Sequence, residues 1–316
     1  MRRHCTPSKL FLAALALSAT SLAAEPASGP FVVRERGEAY RSLQDAVNAI
    51  GGGTGTVVIA PGSYRDCAVQ EAGRVTFTAA RAGTVFFNGG ICEDKATLVL
   101  RGRSAKVEGV VFENLRVADR NGAGVRIESG DLLVSNSLFR NAENGILSAN
   151  DPGSSIRIEH STFSRLGRCD GEADCAHGIY INGYGSLSVV RSRFERGGGG
   201  HYVKSRTARI EIVDSSFDDT AGTGTNYMID LPHGAKGMIA RNIFVQGRDK
   251  ENASALIFVA GEGAKNSSDG LVIAENEASL APGMTKGTSF VADMSGHRIG
   301  IENNRLAHGI TKYDRR

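Results

Sequence analysis

The sequence has no tryptophan and little proline, and it has no apolar run long enough to cross a membrane. Of its 316 residues only 7 are proline, while 41% are hydrophobic and 22% are charged. This composition excludes collagen, a disordered chain and a multi-span membrane protein. The absence of tryptophan also removes the aromatic side chain with the largest face for stacking on a sugar ring.

The amino end has the pattern of a secretory signal peptide. Arg2, Arg3 and Lys9 precede a short apolar stretch over residues 10–24, which ends in small residues. The stretch is too short for a membrane-spanning helix, which needs about 20 apolar residues. We therefore expect residues 1–24 to be removed and residues 25–316 to form one exported domain, in the periplasm or outside the cell.

The domain that remains lacks an excess of either charge. The chain has 37 lysines and arginines against 34 aspartates and glutamates, and removal of the three leader cations reduces 37 to 34. A nearly neutral domain without a basic run gives no electrostatic reason to expect nucleic acid or an anionic membrane surface as a partner.

Cysteine is scarce, and its number outside the leader is even. Cys5 lies in the leader, so Cys67, Cys92, Cys169 and Cys175 remain. In an exported chain an even number of cysteines indicates disulfides. Of the three pairings, proximity in the sequence favours Cys67–Cys92 and Cys169–Cys175. The alternative is a zinc site, which needs paired short spacings, whereas only one pair here is close.

An apolar segment that ends in phenylalanine recurs along the chain. Weaker copies end at Ala278 and Leu306, and the clear copies end at Phe112, Phe139, Phe163, Phe194, Phe217 and Phe244. The steps are 27, 24, 31, 23, 27, 34 and 28 residues. Such variation excludes rigid helical hairpins but suits coils joined by turns of different length. We expect the phenylalanines to stack inside coils about 4.8 Å apart.

Small polar residues form a second column, two positions before the aromatic one. The column consists of Ser137, Ser161, Ser192, Ser215, Asn242, Asn276 and Asn304. On stacked coils these side chains are expected to form hydrogen bonds along the axis. Both columns are interpreted as core and turn features without a catalytic role.

A short strand, usually opened by glycine, follows the end of each of these apolar segments. The clearest copies are residues 124–128, 145–149, 178–182, 200–204 and 226–230. Two strands per repeat, with interior phenylalanine and isoleucine, predict an all-β fold, a right-handed parallel β-helix. On these motifs the chain resembles the pectate-lyase-like β-helix superfamily, specifically exported bacterial proteins with right-handed β-helix repeats.

The amino end of the domain supports this resemblance. Residues 42–50 form an amphipathic segment, which is followed by Gly51–Gly53 and an apolar strand at 56–60. The segment is similar to the capping helix that opens many such solenoids, and we assign residues 25–72 to the cap and the first coil. Cys67 and Cys92 are 25 residues apart, about one coil, so they could stack within reach of a disulfide.

Alternation along the second strands predicts which side chains face outward. His201 and Tyr227 are expected to point inward, and the outward set is Arg126, Glu128, Tyr180, Asn182, Tyr202, Lys204 and Asp230. Asn182, Lys204 and Asp230 would then lie on three consecutive coils, about 5 Å apart. The alternative interpretation is a solvated ladder in which Lys204 and Asp230 form a weak ion pair.

A groove that offers cations, a carboxylate, an amide and phenols suits an extended acidic glycan. The expected substrate-binding residues are His177, Tyr180, Asn182, His201 and Asp230. A lyase that cleaves a uronate polymer must neutralise the sugar carboxylate while a base removes the C5 proton. The expected catalytic residues are Tyr202, Lys204, Arg206 and His233.

Three other functions remain open. The segment from Asp230 to His233 resembles the Asp-Pro-His core of uronan C5-epimerases of the same fold, with one leucine inserted. Hydrolysis fits less well, because Glu128 and Asp230 would lie roughly 19 Å apart, against about 5 to 10 Å for paired carboxylates. Asp218 and Asp219 are alternative partners for a hydrolase. The third function is a solenoid that binds a glycan or a surface without cleaving it.

The proposed elimination requires no cofactor. Residues 169–175 place carboxylates at alternate positions, as a calcium loop does, but the sixth position is Cys175 and the twelfth is Ile181. A disulfide-closed acidic loop is therefore favoured, with Ca²⁺ binding as the alternative. We expect a monomer whose partner is a polysaccharide.

Overall fold

The computed structural model describes residues 1, 29–169 and 175–316. Apart from Met1, the signal peptide predicted at residues 1–24 lies outside the described residues, and so do residues 170–174 of the acidic loop. Within the described ranges, no helix is long and apolar enough to span a membrane.

A small cap covers the amino end of the solenoid. Strands β1 (Phe31–Val33) and β2 (Glu38–Tyr40) pair in antiparallel fashion, and helix α1 (Leu43–Ile50) follows them. The Ser42 hydroxyl accepts a hydrogen bond from the backbone N–H of Asp45 (3.1 Å) and so caps the helix. The buried face of the helix consists of Leu43, Ala46, Val47 and Ile50. The predicted capping helix is therefore confirmed.

Three strands then repeat in each coil of a parallel β-helix. In the first five coils they are β3 (Thr54–Ile59), β4 (Gly62–Tyr64), β5 (Ala68–Gln70), β6 (Arg74–Ala79), β7 (Val85–Asn88), β8 (Ala96–Leu100), β9 (Ser104–Glu108), β10 (Val110–Glu113), β11 (Ala123–Ile127), β12 (Asp131–Ser135), β13 (Leu138–Arg140), β14 (Asn144–Ser148), β15 (Asp151–Glu159), β16 (Thr162–Ser164) and β17 (Ile179–Ile181). In the remaining coils they are β18 (Tyr184–Val190), β19 (Arg193–Glu195), β20 (Val203–Ser205), β21 (Arg209–Val213), β22 (Ser216–Asp218), β23 (Ile229–Leu231), β24 (Lys236–Ala240), β25 (Ile243–Gln246), β26 (Ala255–Val259), β27 (Leu271–Ala274), β28 (Glu277–Leu280), β29 (Thr288–Asp293), β30 (Gly300–Glu302), β31 (Arg305–Leu306) and β32 (Ile310–Arg315).

The first, second and third strands of the coils build three separate sheets, which we call sheets A, B and C. Sheet A has 12 strands because β1 and β2 extend it, and sheets B and C have 10 strands each. Every pairing between coils is parallel, so each strand of a sheet comes from a different coil. The fold is a right-handed parallel β-solenoid, as the repeat predicts.

The phenylalanine column stacks inside sheet B. From Phe112 to Phe244, successive ring centroids lie 4.8 or 4.9 Å apart, and the rings are nearly parallel. All of these side chains are buried. Stacked aromatic pairs contribute about 0.5 to 1.5 kcal/mol each beyond the area that they bury. The predicted stack is confirmed, and it fixes the register of neighbouring coils.

The small polar column forms a ladder in the turn between sheets A and B. Each backbone N–H donates to the side-chain oxygen of the next member, over 2.9 to 3.2 Å, and the ladder runs through Ser137, Ser161, Ser192, Ser215, Asn242, Asn276 and Asn304. The predicted hydrogen bonds along the axis are confirmed. They satisfy buried backbone donors that the tight turn would otherwise leave unpaired.

Both favoured disulfides are present. The Cα atoms of Cys67 and Cys92 are 5.6 Å apart, and those of Cys169 and Cys175 are 4.5 Å apart. The first bond joins neighbouring coils next to the cap. In the chain-entropy treatment, closing a loop of 25 residues stabilises the fold by about 3 to 4 kcal/mol.

Candidate functional site

A pocket of about 260 Å³ opens on the outer face of sheet C, and we call it the sheet C pocket. It is lined by Cys175, His177, Tyr180, Gly200, His201, Lys204, Arg206, Asn226, Glu251 and Glu262. The structure thus brings together most of the predicted site residues. Asn182 and Asp230 contact the lining residues from the side, whereas Tyr202 and His233 do not line the pocket.

Neighbouring strands of sheet C align the outward side chains. Tyr180 of β17 pairs with Lys204 of β20, which pairs with Asp230 of β23. The predicted alignment of Lys204 with Asp230 is therefore confirmed, but the alignment of Asn182 with Lys204 was wrong by two residues. The residue level with Tyr202 is Gly178, not Tyr180, because Gly200 forms a bridge outside the strand instead of opening it.

Asn182 lies beside Arg206 instead. Its side-chain oxygen is 3.3 Å from Arg206 Nη1, and its amide nitrogen donates to the backbone carbonyl of Ser148 (2.8 Å). Asn182 therefore holds the guanidinium of Arg206 from the side. Its predicted binding role is untested.

The predicted orientations of Tyr202 and His201 were both wrong. Tyr202 is only 4% exposed, points into the core, and donates its hydroxyl proton to Asp219 (2.7 Å). His201 faces the pocket. The alternation that the prediction assumed breaks at the bend just before β20, where Tyr202 and Val203 both face the core. Burial and the Asp219 carboxylate raise the pKa of Tyr202 far above its ordinary value, so Tyr202 is unsuited to act as a base.

Glu262 joins the two cations of the pocket. Its carboxylate lies 3.0 Å from Lys204 Nζ and 2.6 Å from Arg206 Nη2. Partial burial opposes ionisation of Glu262, but the hydrogen bonds from Arg206 and Lys204 outweigh it and lower the pKa. The sequence analysis missed this residue. It lies in the loop after β26, in no repeated motif and 58 residues from Lys204, so no sequence signal indicated it.

Tyr180 lies under the two cations. Arg206 Nη1 donates a hydrogen bond to the Tyr180 hydroxyl oxygen. The Arg206 guanidinium carbon and Lys204 Nζ lie 5.0 and 5.6 Å from the centroid of the Tyr180 ring, within the range of cation–π attraction. Because its oxygen accepts from Arg206, the phenol keeps its own proton available for a ligand.

Asp230 lies buried between a cation and an imidazole. One carboxylate oxygen is 3.8 Å from Lys204 Nζ and 3.6 Å from His201 Nε2. Burial raises the pKa of Asp230 to about 7, although the positive charge of Lys204 opposes this shift. The side chain therefore changes its charge near neutral pH.

His177 and His201 form a tilted ring pair in the lining of the pocket. Their ring centroids are 4.9 Å apart, and the backbone N–H of His201 donates to His177 Nδ1 (3.0 Å). Burial, together with the charges of Lys204 and Arg206, lowers the pKa of His177 to about 3. Burial also holds the pKa of His201 well below its ordinary value, with His177 adding to the shift. Both imidazoles are therefore neutral at neutral pH.

His233 lies at the rim, outside the pocket lining. Its Nε2 is 2.9 Å from Lys265 Nζ and 3.9 Å from the Glu262 carboxylate. Burial and the charge of Lys265 lower the pKa of His233. The residue reaches the pocket only through Glu262, so its predicted catalytic role lacks a direct contact with the other candidates.

The carboxylates considered for hydrolysis form ion pairs with residues outside the sheet C pocket. Glu128 lies 2.6 Å from Arg101 Nε and 3.0 Å from Lys95 Nζ, four coils before Asp230 in sheet C. Asp219 is fully buried and pairs with the equally buried Lys250 (3.1 Å). Asp218, on β22 of sheet B, lies 3.4 Å from Arg193 Nη2. None of these candidates is a free second carboxylate beside Asp230, which disfavours paired-carboxylate hydrolysis.

Potential metal ligands approach one another at the mouth of the pocket. Within the described parts of the chain, the group consists of Cys169, Cys175 and Glu251, whose ligand atoms lie within 4.8 Å of one another. The two sulfur atoms form a disulfide, so they are not thiolate ligands. Of the carboxylates suggested for calcium, Asp170, Glu172 and Asp174 lie outside the described residues. The calcium alternative is thus untested.

Comparisons with known proteins show the same architecture. The family model described as a right handed beta helix region matches residues 96–308. No curated protein matches the sequence at a significant level. Among solved structures, an alginate lyase from Paenibacillus sp. str. FPU-7 is similar, with 15% identity, a TM-score of 0.57, and coverage of 85% of this chain and 96% of that one.

Two further structures have comparable similarity. PfbA, a surface adhesin of Streptococcus pneumoniae, shares 13% identity with a TM-score of 0.54, over 86% of this chain and 88% of the adhesin chain. ORF18 of Geobacillus virus E2 shares 13% identity with a TM-score of 0.52, over 85% of this chain and 57% of the viral one. At such identities the likeness concerns the fold alone.

Proposed function

The chain belongs to the right-handed beta helix family. Within this family, we propose that it is an exported lyase that cleaves an acidic, uronate-containing polysaccharide by β-elimination. One observation carries the proposal. Lys204 and Arg206 converge in one pocket with a phenol, Tyr180, and a neutral imidazole, His201. Elimination from a uronate needs these three kinds of group together.

The two cations would bind the uronate carboxylate. Glu262 shows how a carboxylate fits there, because it contacts Lys204 at 3.0 Å and Arg206 at 2.6 Å. Positive charge on the sugar carboxylate stabilises the enolate that forms when the C5 proton leaves. In the bound state the substrate carboxylate would take the place of Glu262, which is 44% exposed and on a loop.

His201 is our candidate for the base. Its imidazole lines the pocket, and its low pKa keeps it unprotonated and able to accept a proton. Asp230, 3.6 Å from Nε2, would stabilise the imidazolium that results. Asp230 is therefore a positioning residue.

Tyr180 is our candidate for the acid. Its hydroxyl oxygen accepts a hydrogen bond from Arg206, so its proton can pass to the glycosidic oxygen as the C4–O bond breaks. The electron pair of the C5–H bond becomes the C4–C5 double bond of the unsaturated product. The proton balance closes with one proton taken up by His201 and one given by Tyr180.

The second candidate function is binding of an acidic glycan without cleavage. One observation favours it: Lys204 and Arg206 are paired with Glu262. A protein that only binds the glycan does not have to stabilise an enolate, so it does not need these cations free at the sugar carboxylate. The fold is also similar to that of a surface adhesin. C5-epimerisation begins with the same proton abstraction and differs only in returning a proton to C5.

The location outside the cytoplasm belongs to the same proposal. Two disulfides are typical of chains that fold in the periplasm or outside the cell. We further propose that residues 1–24 are the leader, that the protein acts as a monomer, and that elimination needs no metal. Assays with and without Ca²⁺ test the last point.

The test is incubation of the purified protein with alginate, pectate, glucuronan and glycosaminoglycans, followed by ultraviolet absorbance of the unsaturated uronate. We expect absorbance to rise with one polymer. Lys204→Ala should lower the rate at least about 100-fold, as loss of a charge-stabilising group does. Lys236→Ala, an exposed cation on sheet A, is the matched control and should keep full activity. No absorbance with any polymer, together with retarded migration in a gel that contains one, would replace the lyase with the binding function.

A further inference from the structure

A second concave site lies at the corner between sheets B and C. This cleft has a volume of about 600 Å³ and is formed by the loops that follow β10, β13, β16, β19 and β22. We call it the arginine cleft, because the charged residues in its lining are Arg116, Arg165, Arg168 and Arg196. The other lining residues are Asn141, Gly167, Gly198, Ala221 and Thr223.

The described lining of the arginine cleft contains four arginines and no carboxylate. The Arg165 side chain has no hydrogen bond or ion pair with any residue that the structure describes, and the Arg196 side chain has only Glu195 at 3.8 Å. Arg168 pairs with the buried Glu143 (3.2 Å). Three arginines elsewhere on the solenoid have close carboxylates: Arg140 with Glu113, Arg193 with Glu195, and Arg241 with Asp214.

Two of these arginines are stacked on adjacent coils. Arg165 and Arg196 each follow the last residue of a sheet B strand, and the phenylalanines of those strands are 4.8 Å apart. Two cationic side chains that begin one coil apart repel one another unless they turn away or find counter-charges. The turn itself does not call for arginine: both residues have a positive φ, 52° and 54°, and the preceding coils fill the same position with Asn114 and Asn141. A bound anion would relieve the repulsion.

The arginine cleft adjoins the sheet C pocket. One segment lines both sites, since Gly198 faces the cleft and Gly200 faces the pocket. The next coil repeats the arrangement with Thr223 and Asn226. Three residues of extended chain span at most about 11 Å, so a ligand of a few sugar rings could reach from one site to the other.

The glycine run 197–200 allows this close arrangement. A Cβ at Gly198 would lie 2.9 Å from the Gly167 carbonyl oxygen, and one at Gly200 would lie 2.2 Å from that of Ala176. Residues 197–200 therefore place no side chain between the two sites.

We infer that the arginine cleft is a second binding site for the same acidic glycan, holding carboxylates of sugar residues beyond those in the sheet C pocket. This inference rests on the proposed function for the identity of the glycan. The glycan then crosses the corner between sheets B and C, roughly perpendicular to the solenoid axis. The arginine cleft selects for chain length, because a short oligosaccharide fills the sheet C pocket without reaching Arg165 and Arg196.

The test compares binding of short and long oligosaccharides. Isothermal titration calorimetry is performed on the full chain carrying His201→Gln, so that substrate is bound without cleavage, with the trisaccharide and the octasaccharide of alginate and of polygalacturonate. The double variant Arg165→Asn/Arg196→Asn keeps the turn, since asparagine suits the positive φ. The control Arg191→Asn/Arg209→Gln removes two exposed arginines from the turn between sheets A and B and from sheet A.

We expect the cleft variant to bind the octasaccharide about tenfold more weakly, which corresponds to about 1.4 kcal/mol, and to bind the trisaccharide unchanged. The control should bind both as well as the parent does. Three results would each overturn the inference. The control could lose as much affinity as the cleft variant, or the cleft variant could bind the octasaccharide as the parent does. The parent could also bind polyglutamate, an anionic polymer without sugars, as tightly as the octasaccharide.

The design separates this inference from the lyase proposal. A native chain that binds the octasaccharide through the arginine cleft but forms no unsaturated product overturns the lyase and leaves the cleft in place. A chain that forms the product, with the same kinetics on long substrates in the cleft variant, overturns the cleft alone. A native chain that binds neither oligosaccharide and forms no unsaturated product from any polymer of the panel overturns both.

Discussion

Replacing Asp230 with asparagine should stabilise the fold at alkaline pH while it impairs turnover. Burial raises the pKa of Asp230 from 3.8 to about 7. Well below pH 3.8 the carboxyl is protonated in both the folded and the unfolded chain, so its ionisation does not lower the free energy of unfolding. Between pH 4 and 7 the unfolded chain ionises and the folded chain does not, so stability falls as pH rises. Above pH 7 the penalty is constant.

The size of the effect follows from the shift. A rise of about 3 pKa units corresponds to about 4 kcal/mol, at 1.36 kcal/mol for each unit. Asparagine resembles the protonated carboxyl and avoids this penalty. Lys204 keeps its contact with Glu262 (3.0 Å) in the variant, so it is not left without a counter-charge. We expect Asp230→Asn to match the native stability at pH 4 and to exceed it by up to about 4 kcal/mol at pH 8.

Urea denaturation followed by circular dichroism at pH 4, 6 and 8 measures this difference. Asp293→Asn is the control, because Asp293 is equally buried but accepts hydrogen bonds from the Tyr313 hydroxyl (2.7 Å) and from the Ser295 N–H (2.8 Å). The control should be less stable than the native protein at pH 8. An Asp230→Asn variant that is destabilised equally at all three pH values would refute the reasoning, and one with full lyase activity would remove Asp230 from the mechanism.

Two further predictions concern the cations and the core. Glu262→Gln should strengthen binding of uronate oligosaccharides several-fold by calorimetry, since it frees Lys204 and Arg206. Stability should change by no more than about 1 kcal/mol, because Glu262 is 44% exposed and Lys204 keeps Asp230 at 3.8 Å. Weaker binding would show that Glu262 helps to hold the substrate. Phe194→Ala should lower the free energy of unfolding by about 3 to 5 kcal/mol, because the ring is fully buried between two stacked neighbours. The control is Phe86→Ala, because Phe86 lies on the same sheet but is half-buried and points outward. Its free energy of unfolding should fall far less in the same urea titration.

The fold could be predicted from the sequence because each coil solves the same packing problem. From Phe112 to Phe244 each coil places a phenylalanine such as Phe163 on the stack, and from Ser137 to Asn304 each coil places a small polar residue such as Ser161 in the turn. These residues recur from coil to coil, so their columns are visible without knowing the length of the turns. The disulfide between Cys67 and Cys92 follows from the same spacing.

The site was predicted less completely, because it depends on the loops that vary between coils. The chain bends just before β20, so that Tyr202 and Val203 both face the core while His201 faces the pocket. Glu262 reaches Lys204 from a loop 58 residues away, in a turn with no repeated motif. Alternation within a strand predicts Lys204 and Asp230 correctly, but it carries no information about residues that approach from other turns.

The most direct test of the central claim is mass spectrometry of the products that the native protein forms from the polymer panel. The account predicts oligosaccharides that end in an unsaturated uronate, each lighter by one water than the corresponding hydrolysis product, and their disappearance with Lys204→Ala. Products of hydrolytic mass would contradict elimination and restore a hydrolase. Intact polymer of unchanged mass, with every member of the panel, would contradict cleavage altogether.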